Sequence, residues 1–136
     1  MKNYYTVCYV SKTSEDLSEE RLEELFQFSS TRNTTRNITG ILLHEMGSFF
    51  QVLEGDEESI TALYNIIKKD PRHQDVYLVF NRKTIHPVFK AYNSKFNVVK
   101  THDDLRAIKT YLDKNRFHST TNKISRLLNP FLMMRE

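Results

Sequence analysis

Tryptophan is absent from this sequence of 136 residues, cysteine occurs once, and glycine and proline occur three times each. The single cysteine, Cys8, cannot form an internal disulfide, so we expect a protein of a reducing compartment, the cytoplasm. No apolar run approaches the roughly 18 residues of a membrane-spanning helix, and we expect no secretory signal and no membrane partner. The sequence thus excludes a disulfide-stapled domain.

Catalytic and metal-binding patterns are equally scarce. The three glycines do not form a phosphate-binding loop. The five histidines show no close paired spacing, and Cys8 has no cysteine or histidine beside it, so we expect no metal site. No nucleophile stands next to a base, and Glu54 is interpreted as a strand-end charge facing solvent. We therefore expect no catalytic residues and no enzymatic activity.

Hydrophobic residues make up 39% of the chain and include nine Phe and seven Tyr, which is enough for the core of one domain. The charge is divided unevenly. Residues 1–81 hold 8 Lys and Arg against 13 Asp and Glu, and residues 82–136 hold 12 against 4. A basic half is found on nucleic-acid or partner surfaces, but scattered lysines more often form a solvated face, which is the interpretation we adopt.

Hydrophobic periodicity predicts alternating strands and helices. Five strands are predicted, at Tyr4–Ser11, Ile38–His44, Ser48–Gly55, Asp75–Asn81 and Phe89–Val98. Two helices lie between them, one capped by Ser18 and ending near Asn33, and one capped by Asp56 and closing at Asp70. Two amphipathic helices follow, marked by Leu105, Ile108 and Leu112 and by Ile124, Leu127, Leu128 and Phe131.

The order β-α-β-β-α-β is typical of the ferredoxin-like α+β fold, here a βαββαβ(β) sheet with two helices on one face. In this topology we expect the first and third strands to be an adjacent, parallel, central pair. We expect a domain at residues 1–100 and a C-terminal helical extension at 101–136, whose two helices pack on the other face of the sheet.

Two polar residues on the predicted central strands do not suit an apolar core. Gln51 interrupts the apolar run Phe49–Leu53, and a buried amide must find hydrogen-bond partners. Tyr9, on the first strand, would be its neighbour. Each residue alone is compatible with a core position in which its polar group finds a hydrogen-bond partner within the protein. Together they favour a hydrogen-bonding pocket for a planar polar ligand.

Two helix ends have two interpretations. Arg32 and Asn33 suit a C-terminal charge and a left-handed cap, and Asp70 to His73 suit a turn with a surface ion pair. Alternatively, both ends reach over one cleft between the helices.

Five motifs follow one another with the order and gaps of a known family. They are Tyr9-Val10-Ser11, Asn33, Ile38–Leu43, Gly47–Gly55 and Asp70-Pro71-Arg72-His73. In these motifs the chain resembles the BLUF domain, a flavin-based blue-light sensor, over residues 4–98.

This resemblance implies a non-covalently bound FAD, with FMN or riboflavin as alternatives, whose ring lies between the two helices. The residues that would contact the ring are Arg32, Asn33, Gln51, Asp70, Arg72 and His73. Excited flavin would take an electron and then a proton from Tyr9. Gln51 would be left rotated or tautomerised, with a new hydrogen bond to flavin O4.

The resemblance also implies a signal relay through Ser11, Tyr92 and Ser94. Many family members carry Trp and Met at the last two positions, and Ser94 cannot imitate a thioether. Ile66 replaces a residue that is often basic or polar in the family. The short chain after the sensor suggests a stand-alone domain that signals to a separate protein, and the resemblance implies a homo-oligomer.

The alternative is an RNA-binding ferredoxin-like domain, since that scaffold uses aromatic residues of the sheet to stack bases. Met46 to Val52 matches the aromatic RNA-binding motif only in part, because the leading Lys or Arg and the second small residue are missing. We therefore do not expect nucleic acid to be the partner.

Overall fold

A computed structural model describes residues 4–15, 17–45, 47–90, 92–93 and 95–133. The chain divides into two compact units, Met1–Val98 and Val99–Glu136. Within the described residues, no helix has the length and apolar character needed to cross a membrane. The predicted packing of the terminal helices on the sheet stays a prediction.

The first unit is built on a five-stranded sheet. Its strands are β1 (Tyr4–Thr13), β2 (Thr39–Glu45), β3 (Ser48–Asp56), β4 (His73–Thr84) and β5 (Phe96–Val99), in the order β4-β1-β3-β2-β5. Helix α1 (Glu19–Thr35) joins β1 to β2, and α2 (Glu57–Lys69) joins β3 to β4. The predicted ferredoxin-like α+β fold is confirmed.

The two central strands are antiparallel, so the expected parallel pairing of β1 and β3 is wrong. The crossover through α1 leaves β1 and β2 running in the same direction, and the hairpin reverses the chain between β2 and β3. Because β3 lies between β1 and β2, it must run against both. In the register that results, Tyr9 lies opposite Gln51.

Both helices of this unit begin at the predicted caps. The Ser18 side chain accepts a hydrogen bond from the backbone N–H of Arg21 at 3.2 Å, and Asp56 accepts one from that of Ser59 at 3.2 Å. Helix α1 continues to Thr35, and the residue with left-handed backbone is Asn37, with φ of 60°. Asn33 is therefore a buried helical residue, and its interpretation as a left-handed cap is wrong.

The core lies between the two helices and one face of the sheet. Its members include Leu25 and Phe26 of α1, Ile60, Leu63 and Ile67 of α2, and Val7, Tyr9, Phe49 and Leu53 of β1 and β3. Burying these apolar side chains together holds both helices on the same face. Tyr9 is thus part of the surface on which the helices pack.

Glu54 is buried, with 1% of its surface exposed, so its interpretation as a solvent-facing charge is wrong. Its carboxylate accepts hydrogen bonds from the backbone N–H of Val88 at 2.8 Å and of Phe89 at 2.9 Å. Burial raises the pKa of Glu54, and these hydrogen bonds oppose that rise. The carboxylate therefore ties the segment after β4 to the sheet.

The fifth strand is shorter than predicted and begins at Phe96. The backbone N–H groups of Tyr92 and Asn93 both donate to the carbonyl of Phe89, at 3.1 and 3.3 Å, and form a turn. Tyr92 is therefore half-buried in a turn and not on a strand, and Ser94 lies outside the described residues. The turn forms because Glu54 binds the backbone N–H groups at its start.

The second unit consists of the two predicted helices, α3 (His102–Lys114) and α4 (Ser119–Met133). Thr101 caps α3 in a reciprocal capping box with Asp104. The two helices are joined by a part-buried hydrogen bond, in which Ser125 of α4 donates to Asp113 of α3 at 2.5 Å. Lys109, also on α3, donates to the same carboxylate at 2.9 Å.

Gly40 is required where β2 approaches β3. Its φ is +141°, and a Cβ atom placed on it would lie 1.9 Å from the carbonyl oxygen of Val52. Because that oxygen belongs to the backbone of β3, the clash is relieved only by moving the strand. Gly55 differs, since the nearest atom to its Cβ position is Ile60 Cδ1 at 3.5 Å, an ordinary contact.

We expect Gly40→Ala to lower the free energy of unfolding by more than about 2 kcal/mol, because the strand must shift and the backbone is strained. Gly55→Ala is the matched control and is expected to change it by less than about 1 kcal/mol. Urea denaturation followed by circular dichroism measures both. Equal effects of the two substitutions would contradict the close approach at Gly40.

Candidate functional site

The floor of the site is a buried pair of polar side chains on the two central strands. Tyr9 is 0% exposed and Gln51 2%, and the Tyr9 hydroxyl donates a hydrogen bond to Gln51 Oε1 at 2.5 Å. Burial raises the pKa of Tyr9 well above its ordinary value. The phenol therefore holds its proton at physiological pH, and its hydrogen bond leaves the Gln51 Nε2 donors for another partner.

The α1 wall contributes Asn33, which is fully buried. Asn33 Oδ1 accepts a hydrogen bond from Arg32 Nε at 3.1 Å, but Asn33 Nδ2 has no hydrogen-bond partner among the described residues. An unsatisfied buried donor costs about 1–3 kcal/mol, so it is seldom tolerated without a reason. A bound ligand that offers a carbonyl oxygen would satisfy it.

The segment after α2 contributes a fixed ion pair. Arg72 donates to Asp70 through Nε at 3.0 Å and through its second guanidinium nitrogen at 2.6 Å. Burial alone would raise the pKa of Asp70, but the hydrogen bonds from Arg72 outweigh it and hold the pKa low. The pair therefore remains charged and presents a positioned guanidinium.

The two helix ends share one cleft. Arg32, at the end of α1, lies near enough to Asp70 and Arg72, after α2, for their charges to influence the pKa of its guanidinium. The ring of Tyr64, on α2, lies 5.6 Å from the ring of Tyr9. Of the two interpretations that the sequence left open, the structure favours the one in which both ends reach over the same cleft.

His73 closes the cleft beyond Asp70. Its Nδ1 lies 3.0 Å from the Ser11 hydroxyl, and its ring lies 4.5 Å from that of Phe49 and 6.1 Å from that of Tyr9. Burial lowers the pKa of His73 to about 4, so the imidazole is neutral at physiological pH. The ring of Phe49 also lies 4.9 Å from that of His44, and the three rings form a row in which neighbours are tilted by about 50°.

Tyr9, Ser11, Arg32, Asn33, Gln51, Asp70, Arg72 and His73 are therefore brought to one cleft. Tyr92 is not placed beside Gln51 on a neighbouring strand, because β2 separates β5 from β3 and Tyr92 precedes β5. Ile66 is 54% exposed on α2.

Sequence reasoning missed the contacts that Phe49 and His44 make beside the site. The ring of Tyr64, on α2, is half-buried and packs against the core beside Tyr9. Phe49 packs between His44 and His73, and because His73 is distant in sequence, no local pattern predicts this contact.

The fold and the site together define a ferredoxin-like domain with a group of buried polar and aromatic side chains between its two helices and the sheet. Residues 4–95 match the family model described as BLUF, sensors of blue-light using FAD. This chain belongs to the BLUF family. Its domain is a blue-light sensor, not an enzyme, and FAD is its cofactor. The RNA-binding alternative has no support.

Named relatives agree with this assignment. The chain is 39% identical over 74 residues to the photoactivated adenylate cyclase subunit beta of Euglena gracilis, and 38% identical over 71 residues to the blue light- and temperature-regulated antirepressor BluF of Escherichia coli (strain K12). These matches cover 54% and 52% of this chain, but only 9% and 18% of those proteins.

Among solved structures, BlrP1 BLUF superposes with a TM-score of 0.67 and 30% identity over 82% of this chain and 77% of that one.

The cleft fits the flavin that the family uses. The unpartnered Asn33 Nδ2 matches a carbonyl acceptor on the edge of a flavin ring, and the Gln51 amide offers further donors beside it. The rings of Tyr9, Tyr64 and His73 provide apolar surface for a planar ligand.

We expect Asn33→Leu to weaken FAD binding at least tenfold, because the substitution removes the donor that the flavin would satisfy (about 1.5 kcal/mol or more). The free energy of unfolding of the flavin-free protein should fall little, because the substitution also removes a buried donor that has no hydrogen-bond partner. Thermal unfolding with and without FAD measures both effects. Gln27→Leu, on the exposed side of α1, is the control. Unchanged FAD binding in Asn33→Leu would contradict the role of Nδ2.

We expect the stability of the flavin-free protein to fall as the pH drops from about 6.5 to about 4. Over that range, unfolded His73 takes up a proton and folded His73 does not, because its pKa is about 4 in the fold. The full loss from this group is roughly 3 kcal/mol. Denaturation at several pH values should show a shallower fall in His73→Asn; parallel curves for the two proteins would refute the assignment.

Proposed function

We propose that this chain is a cytoplasmic blue-light photoreceptor in which Tyr9 and Gln51 form the switch. The observation that carries the proposal is the buried hydrogen bond of 2.5 Å between the Tyr9 hydroxyl and Gln51 Oε1. It lies at the floor of the cleft whose polar groups fit FAD. The residues proposed to hold FAD are Arg32, Asn33, Gln51, Asp70, Arg72 and His73.

Bound FAD supplies a strong oxidant when it absorbs blue light. Tyr9 is suited to be the residue oxidised, because a phenol gives up an electron readily only when its proton leaves as well. The hydrogen bond to Gln51 Oε1 provides the route for that proton. Since the Tyr9 side chain is fully buried, bulk water does not compete as the proton acceptor.

Gln51 is suited to remain in an altered state after the electron and proton have moved. Its amide is both a donor and an acceptor, so rotation or tautomerisation exchanges the group that it presents to each neighbour. The residues that share the face of Gln51 on β3, Phe49 and Leu53, are buried and apolar and leave few other polar partners. Tyr9 regains its electron and proton in the dark, so the cycle consumes nothing.

The signal is proposed to leave the cleft along β1 through Ser11. Ser11 lies two residues after Tyr9 on the same strand, and its hydroxyl is within hydrogen-bonding distance of His73 Nδ1, at 3.0 Å. A change at Tyr9 and Gln51 therefore acts on a strand whose far end is bonded to the segment after α2. Tyr92 lies in the turn before β5, and its proposed part in the signal relay rests on the resemblance alone.

The output is proposed to be a contact with a separate protein, made by a homo-oligomer of this chain. The Escherichia coli relative is named an antirepressor, which supports an output through protein contact.

Absorption spectra recorded in the dark, under blue light and after return to darkness test the switch. We expect the wild-type flavin spectrum to shift slightly to the red and to relax. Gln51→Leu should bind flavin without the shift, and Tyr9→Phe should lose the normal response because the oxidisable phenol is gone. Gln27→Leu is the matched control and should cycle normally.

A normal photocycle in Gln51→Leu would overturn the amide switch, and one in Tyr9→Phe would overturn the electron-donor role of Tyr9. A flavin that bleaches in the wild type without shifting would indicate a redox protein with the same fold.

A further inference from the structure

The ring of Tyr64, on α2, lies against the ring of the proposed electron donor, Tyr9. The two ring centres are 5.6 Å apart, and the ring planes are inclined by 53°. The sequence contains no tryptophan, so tyrosine is the most readily oxidised aromatic residue that this chain can place beside Tyr9. Tyr64 is therefore positioned to exchange an electron with Tyr9.

The other side chains close to Tyr9 are less suited to this exchange. Within the part of the chain that the structure describes, the second ring paired with Tyr9 is that of His73, at 6.1 Å. His73 is a neutral imidazole, because burial lowers its pKa to about 4, and an imidazole is harder to oxidise than a phenol. Cys8, the residue before Tyr9, alternates to the opposite face of β1.

The two phenols differ in their access to water. Tyr9 is fully buried, whereas Tyr64 is half-buried. Burial raises the pKa of both residues, so both are protonated at physiological pH. A phenol gives up an electron readily only when its proton leaves as well, and the Tyr64 proton can pass to water. Once Tyr64 is oxidised, its reduction must therefore wait for a proton from water.

Lys68 controls how Tyr64 is oxidised. Its ammonium, one turn further along α2, lies 5.1 Å from the centre of the Tyr64 ring. A cation at this position opposes a second positive charge on the ring. Tyr64 therefore gives up its electron only together with its proton, and less readily than it would without Lys68.

We propose that Tyr64 is a second electron donor, which reduces the Tyr9 radical in competition with the switch. One electron passes from Tyr64 to Tyr9, Tyr9 takes its proton back from Gln51, and the hydroxyl proton of Tyr64 goes to water. Tyr64 remains a neutral radical until the electron taken up by the light-excited flavin returns to it with a proton from water. This inference rests on the proposed switch and adds a branch that limits its yield.

Freezing the flavin-loaded protein under blue light tests the branch. We expect electron paramagnetic resonance to detect a tyrosyl radical that Tyr64→Phe abolishes. The same substitution should raise the fraction of protein that shows the red shift for each absorbed photon, because the competing donor is gone. Tyr77→Phe removes a 67% exposed tyrosine of β4, and as the matched control it should change neither quantity.

The charge over the ring is tested separately. Lys68→Met should increase the tyrosyl radical signal about twofold to fivefold, which is the range of one cation–π contact at an exposed site, and lower the yield of the red shift. Lys69→Met, one residue along α2, is the matched control. Equal effects of the two substitutions would overturn the part assigned to Lys68.

The exchange is also tested in the flavin-free protein. A ruthenium tris-bipyridyl photosensitiser with persulfate removes electrons from exposed tyrosines, and we expect the buried Tyr9 to be oxidised through Tyr64. The two rings then join by a carbon–carbon bond, each with a net loss of one proton and one electron, and persulfate takes both electrons. Mass spectrometry of the digested protein should detect this cross-link in Tyr77→Phe and not in Tyr64→Phe.

Absence of the tyrosyl radical in the wild type, a red-shift yield unchanged in Tyr64→Phe, or absence of the cross-link would overturn this inference and leave the switch of Tyr9 and Gln51 standing. A radical that persists in Tyr9→Phe would also overturn it, because Tyr64 would then be oxidised without Tyr9. A flavin-loaded wild type without the red shift would overturn both proposals. Thermal unfolding shows beforehand that each variant is folded.

Discussion

The hydrogen bond between Tyr9 and Gln51 depends on one constraint, the antiparallel register of β1 and β3. Because side chains alternate between the faces of a strand, a slip of one residue would move Gln51 to the opposite face of the sheet from Tyr9. The apolar residues beside them hold the register, since the same slip would move Phe49 and Leu53 out of the core. The packing of the domain and the geometry of its site thus require the same strand register.

Around this pair, the fold brings polar groups from distant parts of the chain to a cleft that its own residues do not fully satisfy. Asn33 keeps a buried donor without a partner among the described residues, and Arg32 stands near other guanidinium groups. Both features cost stability in the protein alone, and both are relieved by a ligand with carbonyl oxygens and negative charge. The chemistry of FAD meets these needs, which explains why a blue-light sensor tolerates them.

The sequence predicted those features that depend on neighbouring residues. The strands and helices of residues 4–84, and the caps Ser18 and Asp56, follow from hydrophobic period and from side chains that bond backbone N–H groups three residues away. The isolated amide of Gln51 in an apolar strand also marked the site, because a buried polar group needs a partner whatever the fold. The motif resemblance then supplied the family and the cofactor.

Tertiary structure alone decided the rest. From its neighbours in sequence, Glu54 is predicted to be a charge at the end of a strand. In the fold it is buried and accepts hydrogen bonds from backbone N–H groups about 35 residues later, where a turn replaces the start of the predicted fifth strand. The proximity of Arg32 to Asp70 likewise depends on how the crossovers place distant elements. The antiparallel direction of β3, by contrast, already follows from the predicted hairpin and the crossover through α1. A sequence records local preference and burial pattern, whereas such contacts join residues far apart in the chain, and only packing selects which of them form.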